Sequence, residues 1–301
     1  MELSGDNFFP HVTLNSSRTS MLSAAELVPT SFSLAAVFAW GTSDFLGGYA
    51  ARRANAFLLT TIAHAGGLIP MFLFASATHA ELPSPRSVHW ALAGGVSGGG
   101  ALAIFYGALA AGRMGLTAPV AAVLGAAVPT IFGMITQGVP GSIHVAGFVI
   151  AVAGIWLISR TEDGSSPKGI GLAAISGIGF AGFYLCISQA KDGSALWLAT
   201  FSRAGALLVT GLIVLVQRKF QDITAAGVRW GLLAGCLDVS GTAFFVRASQ
   251  TGRLDSAVVL TSLYPAVTVL LARMVLHEHF TRWKAVGMFA ALLAVPMIAG
   301  Q

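Results

Sequence analysis

"RTEDGSSPKG", residues 160–169, is the longest clearly polar interruption between apolar runs in this chain of 301 residues. Five apolar runs precede it: 31–51, 56–77, 87–110, 116–137 and 143–159. Five follow it: 169–190, 194–216, 228–249, 256–276 and 283–299. A helix needs roughly 20 mostly apolar residues to cross a hydrocarbon core of about 30 Å, which these runs supply. A membrane β-barrel would instead show alternating stretches of about ten residues, and none of the runs alternates.

Composition points the same way. The chain is 55% hydrophobic and 10% charged, with a mean hydropathy of +0.77. A soluble domain carries about a quarter charged residues, so this chain cannot cover a water-facing surface. The 36 glycines suit helices that pack closely in a membrane. The net charge is +5, but Lys and Arg stand singly or in pairs between apolar runs, as loop charges do. No nucleic-acid partner is expected, because that needs clustered basic residues. Cys186 and Cys236 each sit inside an apolar run, which suits neither a disulfide framework nor a zinc site. Residues 1–30 read as a polar tail without a secretory signal, and Met21 is an alternative start. The sequon Asn15-Ser16-Ser17 lies in that tail and carries no weight.

The division into five and five invites a test for a repeat. A shift of 140 lays "WALAGG" at Trp90 on "WGLLAG" at Trp230, Phe105 on Phe245, and Gly112-Arg113 on Gly252-Arg253. A shift of 138 lays Leu34-Ala35-Ala36 on Leu172-Ala173-Ala174, Gly41 on Gly179 and Phe45 on Phe183. A two-residue loop difference accounts for the change of shift. The expected organisation is a polar tail (1–30), a first five-helix repeat (31–160), a polar connection (161–168) and a second repeat (169–299). Five is odd, so the second repeat enters the membrane from the opposite side. The expected fold is an all-α polytopic membrane protein of ten transmembrane helices in two inverted five-helix repeats. Many secondary transporters are built this way, with their site near the midplane between the halves.

The residues also carry a family resemblance. "WGTSDFLGG" in the first span, "GRLDSAVVLTSLYPAVTVLLARMVLHE" through the ninth, and the repeat resemble the EamA-type proteins of the drug/metabolite transporter superfamily. "SLYPAVTVLLA" followed by Glu278 is the most specific part; the first repeat departs from it, with Gly138 where the second has Glu278. The resemblance implies a ten-helix exporter of small organic solutes with a central cavity. It does not name the solute.

Charged residues deep in a span cost about 2.5–3.5 kcal/mol on insertion scales, so they face a partner or a watery cavity. Asp44, His64, Arg203 and Asp238 lie well inside their runs. At 1.5 Å per residue all four fall in one layer near the midplane. Asp44–His64 and Arg203–Asp238 then form two acid–base couples on consecutive helices. Either they fasten helices, or they serve substrate binding and coupling. Histidine titrates near neutral pH, which makes protons the candidate coupling ion; Asp44 alone would suit a substrate ammonium. Trp40 is four residues before Asp44 on the same face, and Phe180, Tyr184 and Ser188 share a face. With Tyr106 and Tyr264 they are candidate lining residues. Pro119, Pro129 and Pro265 are candidate hinges, since proline removes a backbone donor and kinks a helix. "GGVSGGG", residues 94–100, reads as a close-packing face.

Other motifs mislead. Gly177, Gly179 and Gly182 satisfy a G-x-G-x-x-G pattern, but inside a membrane span rather than a strand–helix unit. His277-Glu278-His279 lacks the spacing that sets two histidines on one helix face, so no metal is expected. No catalytic residues, ATP-binding loop or other cofactor are expected either. Arg52, Arg53, Arg113, Arg160, Lys168, Arg218, Lys219, Arg229, Arg282 and Lys284 fall on one side, against Arg18, Arg86, Lys191 and Arg253 on the other. The positive-inside rule places both termini outside the cytoplasm. The expected protein is a multi-pass transporter of the bacterial inner (cell) membrane, not an enzyme. It would export an amino acid, amine or drug-like metabolite by alternating access. The rival is a polytopic enzyme acting on a lipid-linked substrate. The oligomeric state stays open.

Overall fold

The computed structural model describes residues 24–112, 114–159, 169–218, 223–278 and 281–299. The polar tail as far as residue 23, Arg113, the connection 160–168, Lys219 and His279 lie outside the described residues. Every element is a helix: α1 (Ala24–Ala51), α2 (Ala56–Ala77), α3 (Pro85–Ala111), α4 (Met114–Gln137), α5 (Ser142–Ser159), α6 (Ile170–Gln189), α7 (Ala195–Gln217), α8 (Ala225–Thr251), α9 (Leu254–Thr261), α10 (Tyr264–Leu276) and α11 (Arg282–Ala299).

The starts of the helices follow local chemistry. Side-chain oxygens of Asn55, Ser84, Ser194 and Thr224 accept the amides three residues on, capping α2, α3, α7 and α8. Pro85 occupies the first turn of α3, where its missing N–H costs nothing. Helix α1 starts at Ala24, seven residues before the apolar run expected from the sequence.

The expected ninth span is not one helix. It divides into α9 and α10 around Ser262 and Leu263. Pro265 lies in the first turn of α10 and has no N–H to donate back to Thr261. The chain bridges the gap with short turns: the Ser262 amide donates to the Val258 carbonyl (2.9 Å) and the Leu263 amide to the Leu260 carbonyl (3.2 Å). Pro119 and Pro129, by contrast, sit within an unbroken α4.

Among the described residues, seven segments are long and apolar enough to cross a membrane: α2, α3, α4 from Thr117, α6, α7, α8, and α9–α10 taken together. That is fewer than the ten expected. The middle of α1 carries Gly41-Thr42-Ser43-Asp44, which lowers its hydropathy, and α5 counts as a shorter apolar helix over Ser142–Gly154. The surface is inverted relative to a soluble protein. Phe38, Ile69, Leu73, Ile178, Val216 and Phe289 are exposed, while Asp44, His64, Arg203 and Asp238 are buried.

Contacts between helices run in exchanged sets. Helix α1 packs on α8 and α6 on α3; α2 packs on α8 and α7 on α3; α1 packs on α10 and α6 on α4; α2 meets α7, and α5 meets α11. Glycines set the closest crossings. A Cβ on Gly235 would lie 1.8 Å from the Ala63 carbonyl, and one on Gly95 would lie 1.9 Å from the Ser202 carbonyl. Likewise Gly66 abuts Leu232, and Gly205 abuts Leu92. Each pair is carried to the other by shifts of 139 on α2 and 140 on α3. The stretch 94–100 is thus mainly a packing face, as expected, although Gly100 has open space where a side chain would be.

Candidate functional site

The Arg203 guanidinium is the centre of a buried polar cluster. Its Nη1 is ion-paired with Asp238 Oδ2 and lies 3.0 Å from His64 Nδ1. Its Nη2 donates to Thr242 Oγ1 at 2.7 Å. A guanidinium only donates, so Nδ1 is the acceptor on His64. The Thr242 hydroxyl in turn donates to the Asp238 carbonyl (3.1 Å), and Trp40 Nε1 donates to the same oxygen (3.1 Å). Helices α1, α2, α7 and α8 are thereby tied at one level. Thr242 reaches the cluster because it stands one turn after Asp238 on α8.

The expected pairing is half right. Arg203 and Asp238 are joined, but His64 belongs to Arg203 and not to Asp44. Depth along a helix places two groups in one layer; the direction each face points decides whether they touch, and the α2–α7 packing turns His64 toward Arg203. Asp44 is 4% exposed and has no hydrogen bond or ion pair among the described residues.

Asp44 instead faces a small cavity of about 50 Å³. Its walls are Trp40, Asp44, Gly98 and Leu102 from α1 and α3, with Phe180, Phe183, Tyr184, Arg203, Asp238, Thr242 and Tyr264 from later helices. Trp40 meets Phe183, Tyr184 and Phe245 with ring centroids 6.3, 6.1 and 5.7 Å apart. Tyr264 Oη is buried without a hydrogen-bond partner among the described residues. Trp40, Tyr184 and Tyr264 therefore line the cavity. Tyr106 does not. Its hydroxyl lies 3.1 Å from Ser43 Oγ, which donates to the Ala234 carbonyl (2.8 Å), and its ring lies over Gly47. Phe183, Leu102, Gly98 and Thr242 were not singled out from the sequence, although Thr242 shares a helix face with Asp238.

The two ends of the bundle differ. At the end holding the C-termini of α4, α6 and α8, a second cavity has a volume of about 460 Å³. Thr136, Gln137, Ser188, Gln189, Lys191, Ser249 and Gln250 give it polar walls. Ser188 is one helical turn beyond Tyr184, so this space follows the inner cavity along α6. Arg253 stands at the same end. It donates to the Gln137 and Gly138 carbonyls (3.3 and 2.6 Å) and pairs with Asp255 at 2.8 Å. Hydrogen bonding to Asp255 raises the affinity of Arg253 for its proton.

At the opposite end Glu278 closes the bundle. Its carboxylate accepts the Met114 and Gly115 amides (3.4 and 3.3 Å) and lies 3.4 Å from Arg52 Nη2. An anion at the α4 N-terminus and a cation at its C-terminal carbonyls both complement the helix dipole. Glu278 does follow the ninth span, as expected, and it also holds the start of α4 and the end of α1.

No curated protein matches the chain at a significant level. A solved crystal structure superposes with a TM-score of 0.70 at 18% identity, over 92% of this chain and 98% of that one, which is a likeness of fold. Residues 167–300 match the sequence model described as the EamA-like transporter family. That match agrees with the resemblance read in "SLYPAVTVLLA" and Glu278, and over this second part of the chain it supports an EamA-type transporter of the drug/metabolite transporter superfamily.

Proposed function

We propose that the protein is a secondary transporter that exports a small organic solute, with the cavity at Asp44 as the solute site. One observation carries the reading: the cavity is walled by α1 and α3 together with α6, α7, α8 and α10, and so draws on both halves of the chain. The exchanged helix contacts and the paired glycine crossings support two halves related by inversion, the arrangement that places a transport site between repeats. On that reading the ten spans are α1 to α8, the α9–α10 pair and α11. The interruption at Ser262 and Leu263 lies beside Tyr264, a cavity residue. Broken helices at such depth are tolerated where they border a cavity.

The ends supply the access. With the basic loops cytoplasmic, the polar vestibule faces outward and the Glu278–Arg52–α4 contact seals the inner side. Exchange between this state and its inverse requires α4 and α10 to part at Glu278 and to close near Arg253. Asp44 is the group placed to bind a proton or a solute cation in turn. The polytopic-enzyme alternative gains no support from the family match.

Counterflow into proteoliposomes loaded with amino acids, amines and drugs tests the proposal. The wild type should exchange at least one solute class, and Asp44→Asn should lower that flux by about tenfold or more, the effect of losing one charge-assisted contact. Absence of exchange for the whole panel, with turnover of a lipid-linked substrate, would instead favour the enzyme.

A further inference from the structure

We infer that the central cavity selects an organic monocation with a flat apolar body, and that Asp44 makes the selection. The inference takes the cavity to be the solute site, and so rests on the reading above.

Charge gives the first argument. Arg203 and Asp238 neutralise each other, and His64 presents an acceptor to Arg203. That leaves Asp44 as the one carboxylate on the cavity wall without a cation or donor among the described residues. A buried carboxylate is costly unless paired and hydrogen-bonded. A ligand ammonium supplies both the charge and the donors.

The saturation of Arg203 gives the second. Its Nη1 serves Asp238 and His64, and its Nη2 serves Thr242. Its Nε is buried without a partner and is not open to the cavity. A ligand carboxylate would have to share a guanidinium already matched by Asp238, in the same space as Asp44. Zwitterions and acids therefore meet repulsion where the cation meets attraction.

The walls give the third. Trp40, Phe180, Phe183, Tyr184 and Tyr264 line the same space as Asp44. Aromatic faces attract cations and stack on flat rings, and a desolvated site strengthens the cation–π contact.

Three indoles with different charged groups on a short side chain test this on the full-length protein in detergent: tryptamine, tryptophan and indole-3-propionate. Direct binding is measured by calorimetry. Tryptamine should bind, with tryptophan and indole-3-propionate weaker by about tenfold or more, the worth of one charge-assisted contact. Asp44→Asn should lose that preference while keeping its melting temperature without ligand, and Asp44→Glu should retain it. Equal binding of tryptophan and tryptamine, stronger binding of indole-3-propionate, no binding of tryptamine, or an unchanged preference in Asp44→Asn would each overturn the inference. Counterflow separates this from the transport reading. Tryptamine that binds but never exchanges across a vesicle leaves the cation site standing and refutes transport. Exchange of tryptophan without tryptamine binding does the reverse.

Discussion

At the scale of single residues, burial makes Arg203 and Asp238 interdependent. Removing one partner of a buried ion pair costs about 3–5 kcal/mol because the other charge is left uncompensated. Arg203→Met should therefore lower the melting temperature in detergent sharply, and Arg203→Met with Asp238→Leu should recover much of the loss. An equal loss in the single and double variants would show that the pair does not act as a unit. Asp44 behaves differently, because it has no partner to strand. Asp44→Asn should leave the melting temperature unchanged or raise it, while flux falls. The sequence indicates that all four ionisable groups share a layer, since depth follows from counting residues along each run. It does not indicate that His64 turns to Arg203, because the rotation of a helix about its axis depends on what packs against it. Tyr106 was misjudged for the same reason: its ring fills the space over Gly47.

At the scale of elements, the break between α9 and α10 and the join near α3 carry the testable points. Pro265→Ala restores the missing donor and lets the helix close across Ser262 and Leu263. Pro265 stands in the first turn of α10, where proline is tolerated, so the variant should be about as stable as the wild type. Its flux should fall several-fold if the break is where the helix bends during transport; unchanged flux would make the break static. The join is held by Asp192 in the α6–α7 connection, whose carboxylate accepts the Ser84 amide and hydroxyl, each at 2.7 Å. The Ser84 amide, then the Ser84 and Ser87 hydroxyls, hold the Asp192 carboxyl below its ordinary value. A lowered acid stabilises the folded join above the ordinary carboxylate value near 3.9. The stabilisation is lost as pH falls through the lowered value. Protection of the Ser84 amide from hydrogen exchange, relative to its intrinsic rate at each pH, should hold above about pH 4 and fall below it, and Asp192→Asn should remove that step.

At the scale of the whole molecule, two physical facts organise the fold. Too few charges exist to cover a soluble surface, so apolar side chains face outward and polar ones gather inside. Glycine crossings at Gly66–Leu232 and Gly205–Leu92, and at Ala63–Gly235 and Ser202–Gly95, bring the middle helices into contact in matched pairs. In the sequence, a repeat is suggested by Trp90 and Trp230, because an apolar chain has few tryptophans to place by chance. The latch at Glu278 was not legible. It joins residues as far apart in sequence as Met114 and Glu278, and nothing local marks a helix N-terminus that a distant carboxylate will meet. The vestibule was equally hidden, since Gln137, Ser188 and Gln250 come from three helices with no shared motif.

The central claim is that one cavity, walled by both halves, opens in turn to each side of the membrane. Leu102 lines that cavity without belonging to the polar cluster. Leu102→Cys, in a background carrying Cys186→Ser and Cys236→Ser, can be challenged with a membrane-impermeant thiol reagent from either side of a sealed vesicle. Labelling from both sides is expected, with a transported solute slowing both. Labelling from one side alone, whatever solute is present, would contradict it.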